Sequence, residues 1–426
     1  MSKNKSVSIH TLGCRVNMYE SCAIAEQLRK RGFEVTKNKD SDYYIINTCA
    51  VTAESERKSR QLVRRCASKG RVLVIGCASQ LSSEFCNIDN VIYVGGNRNK
   101  LDVVGVISEE IKKDVMSVTP MDGAPYEDMS LSEADDIFSE CRAFIKIQDG
   151  CNGKCTYCII PKCRGSVRSR DAESIIDEAQ NLVNSGYREI ILTGIEVSAY
   201  NKMPLAELIT KVASVKGVER IRLGSLSPKI ITDSFLASVS KLPNFMPHIH
   251  LSIQSCCDKI LVAMKRPYRK NHIIECVSAI RKYIPDCMIS ADIIVGFPGE
   301  TEEDFLETLN TLKELNVFHL HSFPYSEREG TPAATMPNSI PKSVRAGRNS
   351  RLIESTIETK KRILDEYIGR SVSVLIEKII DGIAVGHTME FLEASFQAND
   401  ALVGDIVDLE IYEHDGAMLI GRNKEN

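Results

Sequence analysis

The sequence predicts an α/β protein in three parts: an N-terminal open parallel α/β domain, a central partial (βα)6 barrel and a C-terminal small all-β barrel. Three observations support this organisation. Short β-branched runs alternate with amphipathic helical patterns up to about residue 105, six further strand candidates follow over residues 142–326, and short strands with glycine turns fill residues 370–423. Alternating strands and helices favour parallel sheets with helical crossovers, whereas short strands with turns favour a small barrel.

The individual elements follow from hydrophobic periodicity. N-terminal strands are predicted at 7–12, 43–48, 72–76 and 91–94, with helices at 19–31 and 54–68. Central strands are predicted at 143–148, 189–193, 220–224, 248–254, 288–295 and 317–323, with helices that include 172–185 and 302–315. A long basic helix is predicted at 340–367, and barrel strands at 372–376, 383–387, 406–412 and 417–420.

The predicted domain boundaries lie where the composition changes. Residues 116–140 are rich in acidic and turn-forming residues, which indicates a linker. The resulting division is an N-terminal domain over 1–115, the acidic linker, a central domain over 141–368 and a C-terminal barrel over 369–426.

The composition is that of a soluble globular protein. The 426 residues are 43% hydrophobic, the net charge is −3, and no apolar stretch approaches the 18 residues typical of a membrane span. The N-terminus lacks an apolar signal region, so we expect a cytoplasmic protein without membrane association. Fifteen cysteines in such a chain indicate reduced thiols or metal ligands rather than a disulfide framework.

The strongest local signal is a group of three cysteines with C-x3-C-x2-C spacing: Cys151, Cys155 and Cys158. They occupy a glycine-containing loop directly after a predicted strand. Three thiolates leave one iron of an Fe–S cluster open for a substrate or cofactor. The alternative is a structural zinc site completed by Cys163 or by a distant histidine, because such sites normally have four ligands.

A second group emerges only from the predicted fold. Cys14, Cys49 and Cys77 each follow the carboxyl end of a predicted N-terminal strand. In an open parallel sheet these ends share one edge, where ligands bind. The positions favour a second metal site, although a single cysteine of this kind is more often a small buried hydrophobic residue.

The first triplet, with an aromatic Tyr157 before its last cysteine and six βα units around it, resembles the radical S-adenosylmethionine (SAM) superfamily. Further segments resemble the methylthiotransferases of that superfamily, in the same order along nearly the whole chain. These segments are residues 13–17, 47–49, 76–80, 192–194, 250–255, 264–268, 292–300 and 323–326. The C-terminal barrel is placed like the TRAM module of that family. One departure is Cys256, which stands where the family usually has glycine after Gln-Ser.

The resemblance implies two [4Fe–4S] clusters and SAM as cofactors. Cys151, Cys155 and Cys158 would hold the cluster that cleaves SAM to a 5′-deoxyadenosyl radical. Cys14, Cys49 and Cys77 would hold an auxiliary cluster that presents a methylated sulfur. Expected SAM contacts lie around the mouth of the central barrel, at Tyr157, Gly194, Glu196, Ser225, Gln254 and Arg266. The alternative for the polar groups at strand ends is that they only form hydrogen bonds with nearby backbone groups.

Three branches of the family differ in substrate. Residues 14–20 and 55–61, together with residues 386–388, are most similar to the branch that modifies N6-threonylcarbamoyladenosine at position 37 of tRNA. The alternatives are isopentenyladenosine in tRNA and an aspartate of a ribosomal protein; a distant alternative is a zinc-holding nucleic-acid-binding module without catalysis. The resemblance also implies a one-electron donor such as flavodoxin or ferredoxin, and we expect a monomer.

Two basic helices are candidates for binding the tRNA anticodon stem-loop. The predicted helix at 54–68 carries Arg57, Arg60, Arg64 and Arg65, and the helix at 340–367 carries seven further Lys or Arg residues. Residues 371–422, in contrast, contain ten Asp or Glu and two Lys or Arg. We therefore expect the basic helices, rather than the C-terminal barrel, to make most of the phosphate contacts, unless they are simply solvated helix faces.

Overall fold

In a computed structural model, which describes residues 5–37, 39–109, 116–132 and 141–424, the chain has the predicted three-part α/β fold. The N-terminal sheet has five parallel strands in the order β2-β1-β3-β4-β5. Its strands are β1 (Ser6–Thr11), β2 (Glu34–Lys37), β3 (Tyr43–Thr48), β4 (Arg71–Gly76) and β5 (Val91–Val94). Its helices are α1 (Arg15–Lys30), α2 (Ala53–Ala67), α3 (Cys77–Leu81) and α4 (Asp102–Ile107).

The predictions for this domain located four of the five strands and both long helices. Strand β2 was missed because it is short and lies at the sheet edge with none of its residues fully buried, so it lacks a strong apolar alternation. Helix α1 begins four residues earlier than predicted, directly after Cys14. Strand β3, in contrast, is buried at every position, as expected for a central parallel strand.

Six parallel strands form the wall of the central partial barrel. They are β6 (Arg142–Asp149), β8 (Glu189–Gly194), β9 (Arg220–Leu223), β10 (His248–Gln254), β11 (Met288–Val295) and β12 (His319–Pro324). An isolated parallel bridge between Leu226 and Leu251 links the two halves of this wall, and the short antiparallel strand β7 (Arg168–Ser169) pairs with β6. The wall does not close between β6 and β12.

Eight α-helices are described in the central domain. They are α5 (Ile160–Arg164), α6 (Ala172–Asn184), α7 (Leu205–Ala213), α8 (Asp233–Val239), α9 (Asp258–Ala263), α10 (Lys270–Tyr283), α11 (Glu302–Glu314) and α12 (Lys342–Asp365). One apolar core extends across the N-terminal and central domains, because α1 packs against β6 and β8 as well as against its own sheet. Within the described ranges, no helix has the combination of length and apolar character that a membrane crossing requires.

The C-terminal domain is a closed five-stranded barrel, as predicted. Its strands are β13 (Ser371–Ile380), β14 (Ile383–Thr388), β15 (Glu393–Gln397), β16 (Ile406–His414) and β17 (Leu419–Asn423). The prediction missed β15. Two of its acidic residues pair with cations of the central domain, Glu377 with Arg142 at 3.2 Å and Glu393 with Lys360 at 3.6 Å. Part of the acidic charge of this barrel therefore serves to dock it.

The described part of the predicted linker, residues 116–132, packs between the first two domains. Tyr126 Oη donates a hydrogen bond to the carbonyl of Lys146, and the backbone N–H of Leu131 donates to Glu178. Ser132 bonds to Glu26 of α1. The acidic residues of the linker at 133–136 lie outside the described residues.

Candidate active site

The first cysteine triplet lies in the loop between β6 and α5. Cys151 Sγ accepts a hydrogen bond from the backbone N–H of Gly153 at 3.2 Å, and Cys155 Sγ accepts one from Arg266 Nη1 at 3.1 Å. Burial raises the pKa of Cys158 to about 12, and the nearby thiols of Cys155 and Cys151 also raise it. The three sulfur atoms therefore share one region that contains a guanidinium group.

The second triplet comes together at the carboxyl edge of the N-terminal sheet, as the fold prediction required. Cys14 caps α1 after β1, Cys49 follows β3 and Cys77 follows β4. Burial raises the pKa of Cys49 to about 11, and the thiols of Cys77 and Cys14 contribute to the same rise. Each of the three cysteines is thus within electrostatic reach of the others.

Two glycines make this convergence possible. Gly13 has φ +97°, and a Cβ atom there would lie 2.7 Å from Cys49 Sγ. Gly76 has φ +107°, and a Cβ atom there would lie 2.5 Å from the carbonyl oxygen of Thr48. Only glycine combines this backbone conformation with such close approach. The glycine before each cysteine therefore lets the two strand ends turn toward Cys49.

Cys163, a residue that the sequence analysis did not assign to this second group, lies beside Cys77. A hydrogen bond from the Cys163 thiol, helped by the nearby cations Arg164 and Lys100, lowers the pKa of Cys77 to about 5 despite its burial. Asn97 Nδ2 donates to Cys77 Sγ at 3.5 Å and to the carbonyl of Cys163 at 2.9 Å. The pKa of Cys163 is raised by its hydrogen bond to Cys77, by burial and also by the thiol of Cys158, so Cys163 lies near both triplets.

A buried ionic network joins the two cysteine sites. Arg164 is fully buried, and its guanidinium donates to Glu20 at 2.9 Å, to Asp149 at 3.0 Å and to Asn17 Oδ1 at 2.6 Å. Lys146 Nζ pairs with Glu20 at 2.6 Å and with Asp149 at 2.7 Å. Since Glu20 lies on α1 and Asp149 ends β6, this network fixes the N-terminal domain on the central barrel. The sequence did not predict this network, because its members are far apart in the chain.

Among the described His, Cys, Asp and Glu side chains, His250, Asp292 and His321 bring their ligand atoms within 4.8 Å of one another. They belong to the barrel strands β10, β11 and β12 rather than to either cysteine triplet.

A cavity of about 300 Å³, the upper cavity, lies beside Cys158 of the first triplet. Cys158 and Tyr157 line one side, Val51 and Thr52 line another, and Gln254 and Asp292 reach it from the barrel strands. Val51 and Thr52 follow Cys49 by two and three residues. The cavity is therefore lined by one cysteine of the first triplet and by residues that closely follow Cys49 of the second, at the carboxyl ends of the barrel strands.

The predicted SAM contacts do not all lie together. Glu196, Arg266 and Tyr157 surround the first triplet: Glu196 Oε1 is buried without a hydrogen-bond partner, and the pKa of Glu196 is raised by burial. A buried acceptor of this kind fits the amino group of SAM. Gly194 ends β8, where a Cβ would lie 3.0 Å from the carbonyl of Gln148. Gln254 lines the upper cavity with φ +72°, whereas Ser225 lines a second cavity deeper in the barrel.

Cys256, the departure from the family pattern, is accommodated without strain. Its side chain is fully buried in the apolar core, and its backbone N–H donates to Thr308 Oγ1 at 3.1 Å. The left-handed backbone conformation occurs two residues earlier, at Gln254. A side chain at position 256 therefore meets no conformational barrier.

The two basic helices differ in how many of their cations already have partners. In α2, Arg57 pairs with Glu54 and Arg60 pairs with Glu56, while Arg64 and Arg65 are exposed with no ion pair among the described residues. In α12, Arg345 and Arg348 are buried; Arg345 donates to the carbonyl of Tyr325, and Arg348 pairs with Glu300 at 2.6 Å. Arg351 also pairs with Glu302. The interpretation of α12 as a phosphate-binding face is therefore wrong for Arg345 and Arg348, because these two side chains are buried against the protein itself.

Comparison with known proteins agrees with this geometry. A family described as the radical SAM superfamily matches residues 145–312, and a family described as Uncharacterized protein family UPF0004 matches residues 6–94. A threonylcarbamoyladenosine tRNA methylthiotransferase MtaB of Bacillus subtilis is 36% identical, covering 95% of this chain and 93% of that protein. A protein of the same name from Thermotoga maritima is 34% identical, covering 93% of this chain and 92% of that protein.

A second group of relatives bears another name. A tRNA-2-methylthio-N(6)-dimethylallyladenosine synthase of Acetivibrio thermocellus is 33% identical, covering 96% of this chain and 89% of that protein. Among solved structures, a radical S-adenosylmethionine methyltransferase, TsrM from Kitasatospora setae, superposes with a TM-score of 0.58 at 14% identity, over 90% of this chain and 81% of that one, which shows a shared fold. The identity to the first relatives extends over nearly the whole chain, and the protein belongs to the radical SAM methylthiotransferase family.

Proposed function

We propose that this enzyme adds a methylthio group to C2 of N6-threonylcarbamoyladenosine at position 37 of tRNA. The observation that carries the proposal is the upper cavity, which is lined by Cys158 of the first triplet and by Val51 and Thr52, the residues two and three positions after Cys49 of the second. A reaction that activates a substrate carbon and then delivers sulfur to it needs two reactive centres within reach of one atom. The relatives that share 34–36% of this sequence bear the corresponding name.

We infer that two [4Fe–4S] clusters are held, one by Cys151, Cys155 and Cys158 and the other by Cys14, Cys49 and Cys77. When bound, the first cluster with SAM supplies radical chemistry and the second supplies sulfur. The protein supplies position and environment. Glu196 would accept hydrogen bonds from the SAM amino group, and Arg266, already bonded to Cys155 Sγ and to Tyr268 Oη at 2.7 Å, offers a cation beside it.

The chain also determines how the two centres are oriented relative to each other. The network of Arg164, Glu20, Asp149 and Lys146 is buried, so its ion pairs are not screened by water. It holds the carboxyl edge of the N-terminal sheet against the end of β6. Fixed separation of this kind favours transfer to a bound substrate rather than reaction with solvent.

Several features of the proposal concern partners. We propose that Arg64 and Arg65 of α2 bind phosphates of the anticodon stem-loop, because they are exposed and α2 begins four residues after Cys49. A one-electron donor such as flavodoxin or ferredoxin would reduce the first cluster. We further propose that the enzyme acts as a monomer.

The test uses tRNA from a strain that lacks the gene. Anaerobically reconstituted enzyme, SAM and reductant are incubated with this tRNA, which is then digested and analysed by mass spectrometry. We expect the threonylcarbamoyladenosine nucleoside to gain a methylthio group. A Cys86→Ser variant, altered at a cysteine outside both triplets, is the matched control and should give the same product.

Two other results would reject the substrate assignment. A methylthio group on dimethylallyladenosine instead would assign the enzyme to the second group of relatives. SAM cleavage without any altered tRNA nucleoside would direct the search to a ribosomal-protein aspartate.

A further inference from the structure

A second cavity, the lower cavity, lies inside the partial barrel beneath the upper one and has a volume of about 410 Å³. His387 and Phe391 of the C-terminal barrel contribute to its lining. This volume is within the range of small-molecule sites, about 300–1,000 Å³. Its ionisable lining consists of the permanent cations Arg15, Arg142, Arg222 and Lys360, the histidines His248, His250, His319, His321 and His387, and the single carboxylate Glu393.

The two cavities share a wall. Asp292 lines the upper cavity, and its Oδ1 lies 3.1 Å from His250 Nε2 and 3.3 Å from His321 Nδ1, both of which line the lower cavity. Arg15 of the lower cavity directly follows Cys14 of the second triplet. The lower cavity therefore adjoins both the upper cavity and the residue that follows Cys14.

The lower cavity contains a buried donor that no group of the described protein satisfies. Arg142 is 7% exposed, and its Nε has no hydrogen-bond partner within the described residues, although its Nη2 pairs with Glu377 at 3.2 Å. Buried polar groups are rarely left without a partner in a finished site. Arg142 lines the lower cavity and also lies over the Phe391 ring, so hydrogen bonds within the described protein engage only part of its guanidinium group.

The other cations differ in how they are engaged. Arg222 is bonded to Glu189 at 2.9 Å and to the carbonyl of Thr388 at 2.8 Å, so it docks the C-terminal barrel. Lys360 Nζ lies 3.6 Å from Glu393, a longer contact with a carboxylate whose side chain is 43% exposed. Lys360 can therefore approach an incoming anion while Glu393 turns to solvent.

Acidic groups behind the wall offset part of the positive charge of the lining. Glu377 and Glu189 contact Arg142 and Arg222 from outside the lining, and Asp292 is held between two imidazoles. Within the lining itself, four permanent cations stand against one carboxylate. An anionic ligand would thus meet cations on several sides.

We infer that the lower cavity binds the carboxylate of the N6-threonylcarbamoyl substituent, with Lys360 and Arg142 as its hydrogen-bond donors. The inference rests on the proposed function and assigns the residues that select its substrate. A dimethylallyl substituent would enter the same cavity without an acceptor and would leave these cations desolvated and unpaired. Sites built around a polar group of the ligand reject analogues that lack it.

The experiment measures binding, so that it does not depend on turnover. Fluorescence anisotropy measures the affinity of reconstituted, SAM-bound enzyme for three labelled anticodon stem-loops. These carry threonylcarbamoyladenosine, its methyl ester or dimethylallyladenosine. We expect the free acid to bind about tenfold more tightly than the ester, which differs only in the charge and one methyl group. Lys360→Met should reduce this ratio to about one, and Lys360→Arg should restore most of it.

Lys361→Met is the matched control, because Lys361 is the exposed neighbour of Lys360 on α12 and does not line the cavity. It should leave the ratio unchanged, and the iron content of every variant should match that of the unaltered enzyme. The inference is overturned if the unaltered enzyme binds acid and ester equally, or if Lys360→Met keeps the tenfold ratio.

The same experiment separates this inference from the proposed function. If mass spectrometry shows methylthio addition to threonylcarbamoyladenosine while the acid-to-ester ratio stays near one, the proposed function holds and the carboxylate site is wrong. If the dimethylallyl stem-loop binds most tightly and alone is modified, the proposed function fails and the carboxylate site fails with it.

Discussion

The two cysteine triplets are assembled from different kinds of chain segment. Cys151, Cys155 and Cys158 lie in one eight-residue loop, whereas Cys14, Cys49 and Cys77 come from three strand ends of a parallel sheet. Burial raises the pKa of Cys158 to about 12, but the Cys163 thiol and nearby cations lower the pKa of Cys77 to about 5. The loop triplet is a local motif, and the sheet triplet depends on the whole N-terminal domain and on its contact with the barrel.

This difference determines which substitutions should disrupt each cysteine site. The loop triplet needs its own loop and the Arg266 side chain that contacts Cys155. The sheet triplet also needs glycines at positions 13 and 76 and the buried Arg164 network. Changes remote from the cysteines should therefore affect the sheet triplet more than the loop triplet.

The largest expected effect comes from replacing one cysteine of either triplet, which should show that the two sites have different roles. Cys151→Ala should abolish SAM cleavage and methylthio transfer together, because it removes a ligand of the cluster that would bind SAM. Cys49→Ala should abolish methylthio transfer and retain SAM cleavage. Anaerobic assays of 5′-deoxyadenosine and of modified nucleoside check both. Equal loss of SAM cleavage in the two variants would mean that the triplets do not have separate roles.

The second prediction tests the interface. Arg164→Leu removes one partner from a buried network and should lower the free energy of unfolding by about 3–5 kcal/mol, because Glu20 and Asp149 remain buried with too little positive charge. Urea unfolding followed by circular dichroism measures this change. Arg351→Leu, which breaks a half-exposed ion pair with Glu302, is the control and should cost less than about 1 kcal/mol.

The third prediction concerns the loop side alone. Glu196→Gln should raise the KM for SAM about tenfold, equivalent to about 1.4 kcal/mol, since it removes the negative charge of the carboxylate that carries the buried Oε1 acceptor. Saturating SAM should restore the cleavage rate. Glu207→Gln changes an exposed residue of α7 and should leave KM unchanged. An unaltered KM in Glu196→Gln would remove Glu196 from the SAM site.

The smallest effect concerns the sheet side. Replacing both Arg64 and Arg65 with Ala should weaken tRNA binding about threefold to tenfold and reduce the slope of log K against log salt by about 1–2. Replacing both Arg57 and Lys58, which already pair with Glu54, should change the slope less. Filter binding at several salt concentrations measures it. The same slope in both double variants would contradict an α2 role in phosphate binding.

Sequence alone predicted the three-part fold because the long strands and helices are strongly periodic. It also predicted that Cys14, Cys49 and Cys77 lie at one sheet edge, since parallel topology places carboxyl ends together. The buried network could not be predicted in this way: Glu20, Arg164 and Asp149 are ordinary charged residues in the sequence, and only tertiary packing reveals that they are buried. The position of Cys163 beside Cys77 was not predicted for a similar reason, because the two cysteines are 86 residues apart in the chain.

The basic helix α12 shows the opposite failure. Its charge pattern indicated an exposed phosphate-binding face, yet Arg345 and Arg348 are buried against the central domain. Long cationic side chains can cross a helix surface to reach carbonyls and carboxylates, so charge counts do not determine exposure. Lys360 of the same helix reaches the lower cavity instead.

Iron content in two matched triple variants tests the central claim most directly. One replaces Cys14, Cys49 and Cys77 with Ala, and the other replaces Cys151, Cys155 and Cys158. The unaltered reconstituted enzyme should hold about eight irons per chain, and each variant about four, with SAM cleavage kept only in the first. A first variant that still held about eight irons, or that had lost SAM cleavage, would contradict the assignment of two separate cluster sites.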